Sequence, residues 1–224
     1  MKNQIKNIIA GAAVLGVTSL ANAIPTMTIS DGVNTVTIVD NVGADINPLA
    51  GAVSYNGSVG VWSLIINTGL TKPILGSANA PTMDLAIQAS STTGGSLTVT
   101  FSDTGFTLSP GAVLATISGH VVNGAQESVA YQVLANSQNV VGTGSVIANI
   151  PSQGMPVLAS ATGSLNGLGS AYSLTEVVQI SSNGSTTTSI DAGFQPVPDG
   201  GMTMAMLGFG LVAVETARRK LVKA

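Results

Sequence analysis

The 224-residue sequence predicts an all-β body, an antiparallel β-sandwich, and three observations carry that prediction. Short runs alternate apolar with hydroxyl or amide residues at period two, as a strand with one buried face requires. Turn signals rich in Gly, Asn, Asp and Pro interrupt those runs. Between the two chain ends no stretch shows the 3.6-residue apolar spacing of an amphipathic helix. About ten short strands joined by such turns suit two packed sheets.

In chain order, Met27–Ile29 and Val33–Val39 set Thr or Asn against Val and Ile across the turn Ser30-Asp31-Gly32. Val59–Asn67 (VGVWSLIIN) predicts a more fully buried strand. Met83–Ala89 puts Met83, Leu85, Ile87 and Ala89 on one face, and Ser96–Asp103 does the same with Leu97, Val99 and Phe101. Ala112–Val122, Ser128–Leu134, Ser145–Ile150, Tyr172–Ile180 and Thr186–Ala192 continue the pattern. Turns at Thr93-Gly94-Gly95, Ser109-Pro110-Gly111, Asn123-Gly124 and Ser182-Asn183-Gly184 separate them. Two segments break the alternation. Thr71–Pro81, with Lys72-Pro73 and Ala80-Pro81, and the Pro-, Gly- and Ser-rich Ile150–Gly169 predict long loops or irregular edges. Gly193–Pro196 predicts a brief linker.

Both chain ends depart from this body. Lys2 and Lys6, the apolar run Ile8–Leu20 and the small-residue site Ala21-Asn22-Ala23 form a secretory signal peptide over 1–23, cut by signal peptidase after Ala23. The other end, 196–224, opens on the turn-forming Val197-Pro198-Asp199-Gly200-Gly201. A transmembrane segment over 202–217 follows, uncharged from Met202 to Val214, and the basic tail 218–224 carries Arg218, Arg219, Lys220 and Lys223. As a helix this segment spans roughly 20–24 Å against a hydrocarbon core of about 30 Å. The Arg and Lys stems reach back to the headgroups, and local thinning covers the mismatch. Cations beyond the segment stay cytoplasmic, which leaves the body outside. The predicted organisation is thus a signal-peptide helix, a β-sandwich ectodomain over 24–195 and a C-terminal transmembrane helix.

The order of turn pentad, short apolar helix and Arg218-Arg219-Lys220 resembles a PEP-CTERM sorting signal of the VPDSG type, with Gly200 in place of the commoner Ser. The resemblance implies a protein exported through the inner membrane of a Gram-negative bacterium that makes exopolysaccharide. It implies recognition by an exosortase, a membrane-embedded cysteine transpeptidase that cuts near the motif, and delivery to the cell surface or extracellular matrix. Four further stretches, Ser30-Asp31-Gly32, Gly69-Leu70-Thr71-Lys72-Pro73, Phe101-Ser102-Asp103-Thr104-Gly105-Phe106 and Tyr172-Ser173-Leu174-Thr175, make the body similar to a group of PEP-CTERM ectodomains of unassigned activity.

Composition narrows the function classes. Residues 24–195 hold one cation, Lys72, against eight acids: Asp31, Asp40, Asp45, Asp84, Asp103, Glu127, Glu176 and Asp191. Nucleic acid is excluded as a partner, because phosphate contacts need Lys and Arg. Cysteine is absent, which removes disulfides, thiol catalysis and thiolate metal sites.

Few constellations remain. His120 is the single histidine, and a Ser–His–acid triad would depend on it, yet no Gly-x-Ser-x-Gly elbow occurs. Glu127 and Glu176 are the body's only glutamates; a glycosidase would need two such groups close together, and a solvated face is the expected place for both. Asp31, Asp40 and Asp45, with Asn34, Asn41 and Asn47, gather oxygen ligands in one early stretch and are the candidate calcium residues, off the EF-hand spacing. Trp62, Tyr55, Tyr131 and Tyr172 would have to build any sugar-stacking platform, although apolar neighbours assign Trp62 to the core. Asn56-Gly57-Ser58 and Asn183-Gly184-Ser185 are sequons that also read as turns. The expectation is an exported, non-enzymatic structural or binding protein without an organic cofactor. A carbohydrate-binding module on exopolysaccharide and a plainly anchored membrane protein are the alternatives.

Overall fold

The computed structural model describes residues 24–107, 111–169 and 171–197, so the signal peptide with Ala21 and Ala23, and the tail from Pro198 through Asp199, Gly200, Gly201, Arg218, Arg219 and Lys220, lie outside the described residues. Alternating side chains produce twelve strands: β1 (Thr26–Ser30), β2 (Thr35–Val39), β3 (Ala52–Val59), β4 (Trp62–Leu70), β5 (Met83–Ser91), β6 (Gly95–Phe106), β7 (Ala112–Gly124), β8 (Glu127–Asn136), β9 (Ser145–Gly154), β10 (Val157–Ser164), β11 (Tyr172–Ser182) and β12 (Thr186–Pro196). They form two six-stranded sheets, in the orders β2-β1-β6-β11-β8-β9 and β10-β7-β12-β5-β4-β3, with every pairing antiparallel.

Inward residues of both sheets meet in one core. Trp62, Tyr131, Tyr172, Phe101, Phe106 and Phe194 are its largest fully buried members. A buried indole N–H needs an acceptor, and Trp62 Nε1 donates to the Ser96 carbonyl at 3.1 Å.

Connections divide by length between the two ends of the sandwich. Each odd-to-even link, from 31–34 through 183–185, takes two to four residues, whereas 40–51, 71–82 and 137–144 on the even-to-odd side take eight to twelve. One end is therefore a row of tight hairpins and arches, and the other a set of longer loops. Thr26 pairs with Ser102 toward the end of β6, and Pro196 pairs with Val113 at the start of β7. The first and last strands thus both leave the fold at the loop end.

Three expectations are corrected. β3 appears where no strand was predicted: Asn56-Gly57 mimics a turn but sits in the strand, where the register against β4 shifts between Tyr55 and Gly57. Ile150–Gly169 is not a long loop but an edge: the end of β9, a two-residue turn and β10, each the outermost strand of its sheet, with a loop only from Leu165 onward. Pro151 is tolerated there because β9 is an edge strand. Gly163 makes that segment look loop-like in sequence, but its missing side chain lets β10 close on β9, since a Cβ would stand 2.2 Å from the Ile147 carbonyl oxygen. Gly193–Pro196 is not a linker either: it completes β12 against β5 and β7.

Candidate functional site

The densest polar cluster lies at the loop end, built by β4 running into Thr71-Lys72 and by β6. Lys72 Nζ stands 2.6 Å from Asp103 Oδ2, donates to the Thr104 carbonyl and lies 4.0 Å over the Phe106 ring centroid. Asp103 is fully buried, and it also accepts from Thr71 Oγ1 at 2.9 Å and from the Thr104 amide at 2.7 Å. Burial lowers the Lys72 pKa while the adjacent Asp103 raises it. Asp40 extends the cluster: its Oδ2 accepts from the Gly51 amide at 2.9 Å, and the Gly51 carbonyl accepts from the Thr71 amide at 2.8 Å. Phe106 and Tyr172 pack with ring centroids 5.8 Å apart. Ser102 Oγ and Thr175 Oγ1 lie 3.0 Å apart and share the Gly142 amide. The structure thus brings together three of the four body stretches singled out in the sequence, around 69–73, 101–106 and 172–175. Lys72 and Asp103 are engaged with each other and with their neighbours, which suits a clamp on the loops at the end where the tail leaves.

The glutamates are not on a solvated face. Glu127 and Glu176 are both buried, and Tyr131 Oη donates to Glu176 Oε1 at 2.5 Å. Burial raises the Glu176 pKa to about 8, opposed by the Tyr131 hydrogen bond and reinforced by Asp84 and Asp191. At neutral pH Glu176 is therefore mostly a carboxylic acid, and burial also holds the Tyr131 phenol well above its ordinary value. Glu176 pairs opposite Val133, six residues along β8 from Glu127. At about 3.3 Å per residue that is roughly 20 Å, beyond either glycosidase separation. The inward-facing pattern of β11, with Leu174, Glu176, Val178 and Ile180 on one face, was the sequence signal that Glu176 enters the core.

Sequence reasoning overlooked a second carboxyl pair. Asp84 and Asp191 hydrogen-bond on the outer face of the other sheet, and desolvation with the Asp191 charge raises the Asp84 pKa to about 6. They line a depression of about 190 Å³ with Thr116, Ser118, Leu158 and Gly193. At the contact that raises the Asp84 pKa the two carboxyls stand closer than the about 5 Å or more that a glycosidic bond needs between them. The signal was available once β5 and β12 were taken as neighbours, since Gly193 pairs with Asp84 and Asp191 lies two residues away.

The remaining candidates disperse. Asp31 caps the β1–β2 hairpin, accepting from the Val33 and Asn34 amides, while Asp40 and Asp45 sit in loop 40–51 at the opposite end. Asp45 accepts from the Asn41, Asn47 and Ser54 amides. The three candidate calcium residues are not brought together, and no group of three metal-binding His, Cys, Asp or Glu occurs among the described residues. Trp62, Tyr131 and Tyr172 are buried and only Tyr55 is partly exposed, so the stacking platform is not formed. His120 is exposed and pairs with Ser189, but no hydrogen bond links their side chains among the described residues. Asn56 lies in β3, and Asn183 is exposed in the β11–β12 link.

No protein-family model matches the chain, and no curated protein matches it. Among solved structures it is similar to an arabinose-bound GH51 α-L-arabinofuranosidase, at 16% identity and TM-score 0.33 over 70% of this chain and 25% of that one. It is also similar to the enzymatically active domain of tailspike protein 4 of bacteriophage CBA120, at 13% identity and TM-score 0.29 over 63% of this chain and 20% of that one. A structure of carbohydrate-binding modules from the β-sandwich superfamily matches at 12% identity and TM-score 0.34, over 76% of this chain and 72% of that one. The chain spans a quarter or less of the first two, and likenesses this distant carry no function to it.

Proposed function

We propose that the chain is an exported, non-enzymatic surface or extracellular-matrix protein whose tail is processed by an exosortase-type transpeptidase at the inner membrane. The tail's residue order motivates this reading, and one observation about the fold supports it. β12, an interior strand of its sheet, runs to Pro196, and the Val197 amide still donates to the Ala112 carbonyl at 3.0 Å. Val197-Pro198-Asp199-Gly200-Gly201 therefore begins at the last hydrogen bond of the sandwich, with no spacer. The described fold thus stays hydrogen-bonded up to the first residue of the pentad, and the Lys72–Asp103 clamp ties down the neighbouring loops.

The test compares wild type with the double variant Pro198→Ala/Asp199→Ala, which preserves the apolar segment and its cations. Under the sorting reading the variant accumulates as full-length precursor in the inner membrane, while wild type appears outside with its C-terminus near Pro198–Gly201 by mass spectrometry. Extracellular wild-type protein that still ends at Ala224 overturns it, and identical membrane retention of both proteins identifies a plain anchor.

A further inference from the structure

We infer that the outer face of the β2-β1-β6-β11-β8-β9 sheet is a binding face for an uncharged polysaccharide chain. Its centre is a depression of about 270 Å³ whose polar lining is Ser96, Thr98, Ser128, Ser152, Gln179 and Ser181. This site lies in the described strands, so the inference stands independently of the tail reading.

The strand register constructs the surface. Ser96, Ser181 and Ser128 form one row across β6, β11 and β8, and Thr98, Gln179 and Ala130 form the next. Neighbours within a row are about 4.8 Å apart and the rows about 6.6 Å apart. Ser30 and Thr35 extend the second row onto β1 and β2, and Thr28 and Thr100 begin a third. The small Ala130, with Gly154 opposite Ser128, leaves the depression open.

Two properties select the ligand. First, the six polar side chains in the depression make no hydrogen bond within the protein among the described residues. Elsewhere on the same face such groups satisfy one another, as Gln132 with Asn149 at 3.0 Å and Ser102 with Thr175 at 3.0 Å do. Six groups able to donate and accept are thus free for an outside partner. Second, the face carries no charge: the acids of its strands, Asp103, Glu127 and Glu176, are all buried. A nucleic acid or acidic polymer finds no cation there, and a metal ion finds no carboxylate. β6, β11 and β8 are paired on both sides, so the centre of the face offers a peptide no free strand edge, and no aromatic anchor lines the depression for a protein partner. A neutral polymer rich in hydroxyls matches these donors and acceptors in chemistry and in extent. Without stacking aromatics each sugar is held weakly, and retention grows with polymer length through repeated contacts.

The test is retention of the full chain, in detergent micelles, on immobilised neutral glucan, mannan, galactan and xylan and on a uronic-acid polymer. Expected is salt-insensitive retention on at least one neutral polymer and none on the uronate. Gln179→Ala, an exposed change that keeps the fold, weakens retention about ten-fold, and Ser128→Trp, which fills the depression, abolishes it. No retention on any of the four neutral polymers, equal retention on the uronate, or retention unaltered in Gln179→Ala overturns the inference. The Pro198→Ala/Asp199→Ala protein binds like wild type whichever way the sorting test falls, which separates the two readings.

Discussion

Lys72 and Asp103, thirty-one residues apart in the chain, form an ion pair 2.6 Å long, with the carboxylate fully buried and the ammonium side chain 13% exposed. Lys72 is the only Lys or Arg of residues 24–195, so the body's single permanent cation serves its interior.

Removing one partner of such a pair strands the other charge in the core. Lys72→Met is expected to destabilise the protein by about 3–5 kcal/mol, and Lys72→Met/Asp103→Leu by clearly less than the two single changes together. Urea unfolding midpoints of the four proteins measure the coupling. Additive losses would show that the pair does not act as a unit.

Glu176 makes stability depend on pH. Its folded pKa of about 8 lies above the ordinary 4.5, so in that window the folded state holds a proton that the unfolded state has released. Stability from this group is complete below about pH 4.5, declines by up to about 1.4 kcal/mol per pH unit, and is fully lost above about pH 8. Asp84, raised to about 6, adds a loss of the same sign over the lower part of that range. The melting temperature should therefore fall from pH 5 to pH 8, and Glu176→Gln should flatten most of the fall. A wild-type profile that rises over this range would contradict the assignment.

Gly69 is required by the ring beneath it. A Cβ at that position would lie 2.5 Å from the Phe101 ring, itself fully buried. Gly69→Ala should cost about 1–3 kcal/mol, the range for overpacking a filled core. Combining it with Phe101→Leu should recover part of that loss in thermal melts, because the smaller side chain vacates the space.

Calcium should not alter stability. The Asp31, Asp40 and Asp45 carboxylates are turned onto backbone amides, and Asp31 stands at the opposite end of the sandwich from the other two. A ligand bound only by the folded state raises the melting temperature. Melts in millimolar calcium and in chelator are expected to coincide, and a shift of several degrees would place a site elsewhere.

The strands with clean alternation were legible because period two is a local property. Leu97, Val99 and Phe101 enter the core as their spacing requires. β3 and β10 were not legible, since Asn56-Gly57 and the Ala, Ser and Gly of 159–164 resemble turn and loop composition. Their strand character comes from pairing with β4 and β7. The burial of Glu127 and Glu176 was misjudged, and that of Tyr131 and Tyr172 left open, for a related reason. Residue type alone assigns carboxylates outward and leaves tyrosines ambiguous, whereas strand phase sends all four inward.

By itself the sequence determined an all-β body, its single cation among eight acids and the order of features at its two ends, because composition and short-range periodicity need no knowledge of distant contacts. Only the tertiary structure decided which residues meet. It joined Lys72 to Asp103, Tyr131 to Glu176 and Asp84 to Asp191, and it aligned Ser96, Ser181 and Ser128 in one row. Those relationships follow from strand order and register between segments far apart in the chain, and a one-residue slip in any strand would send its side chains to the opposite face.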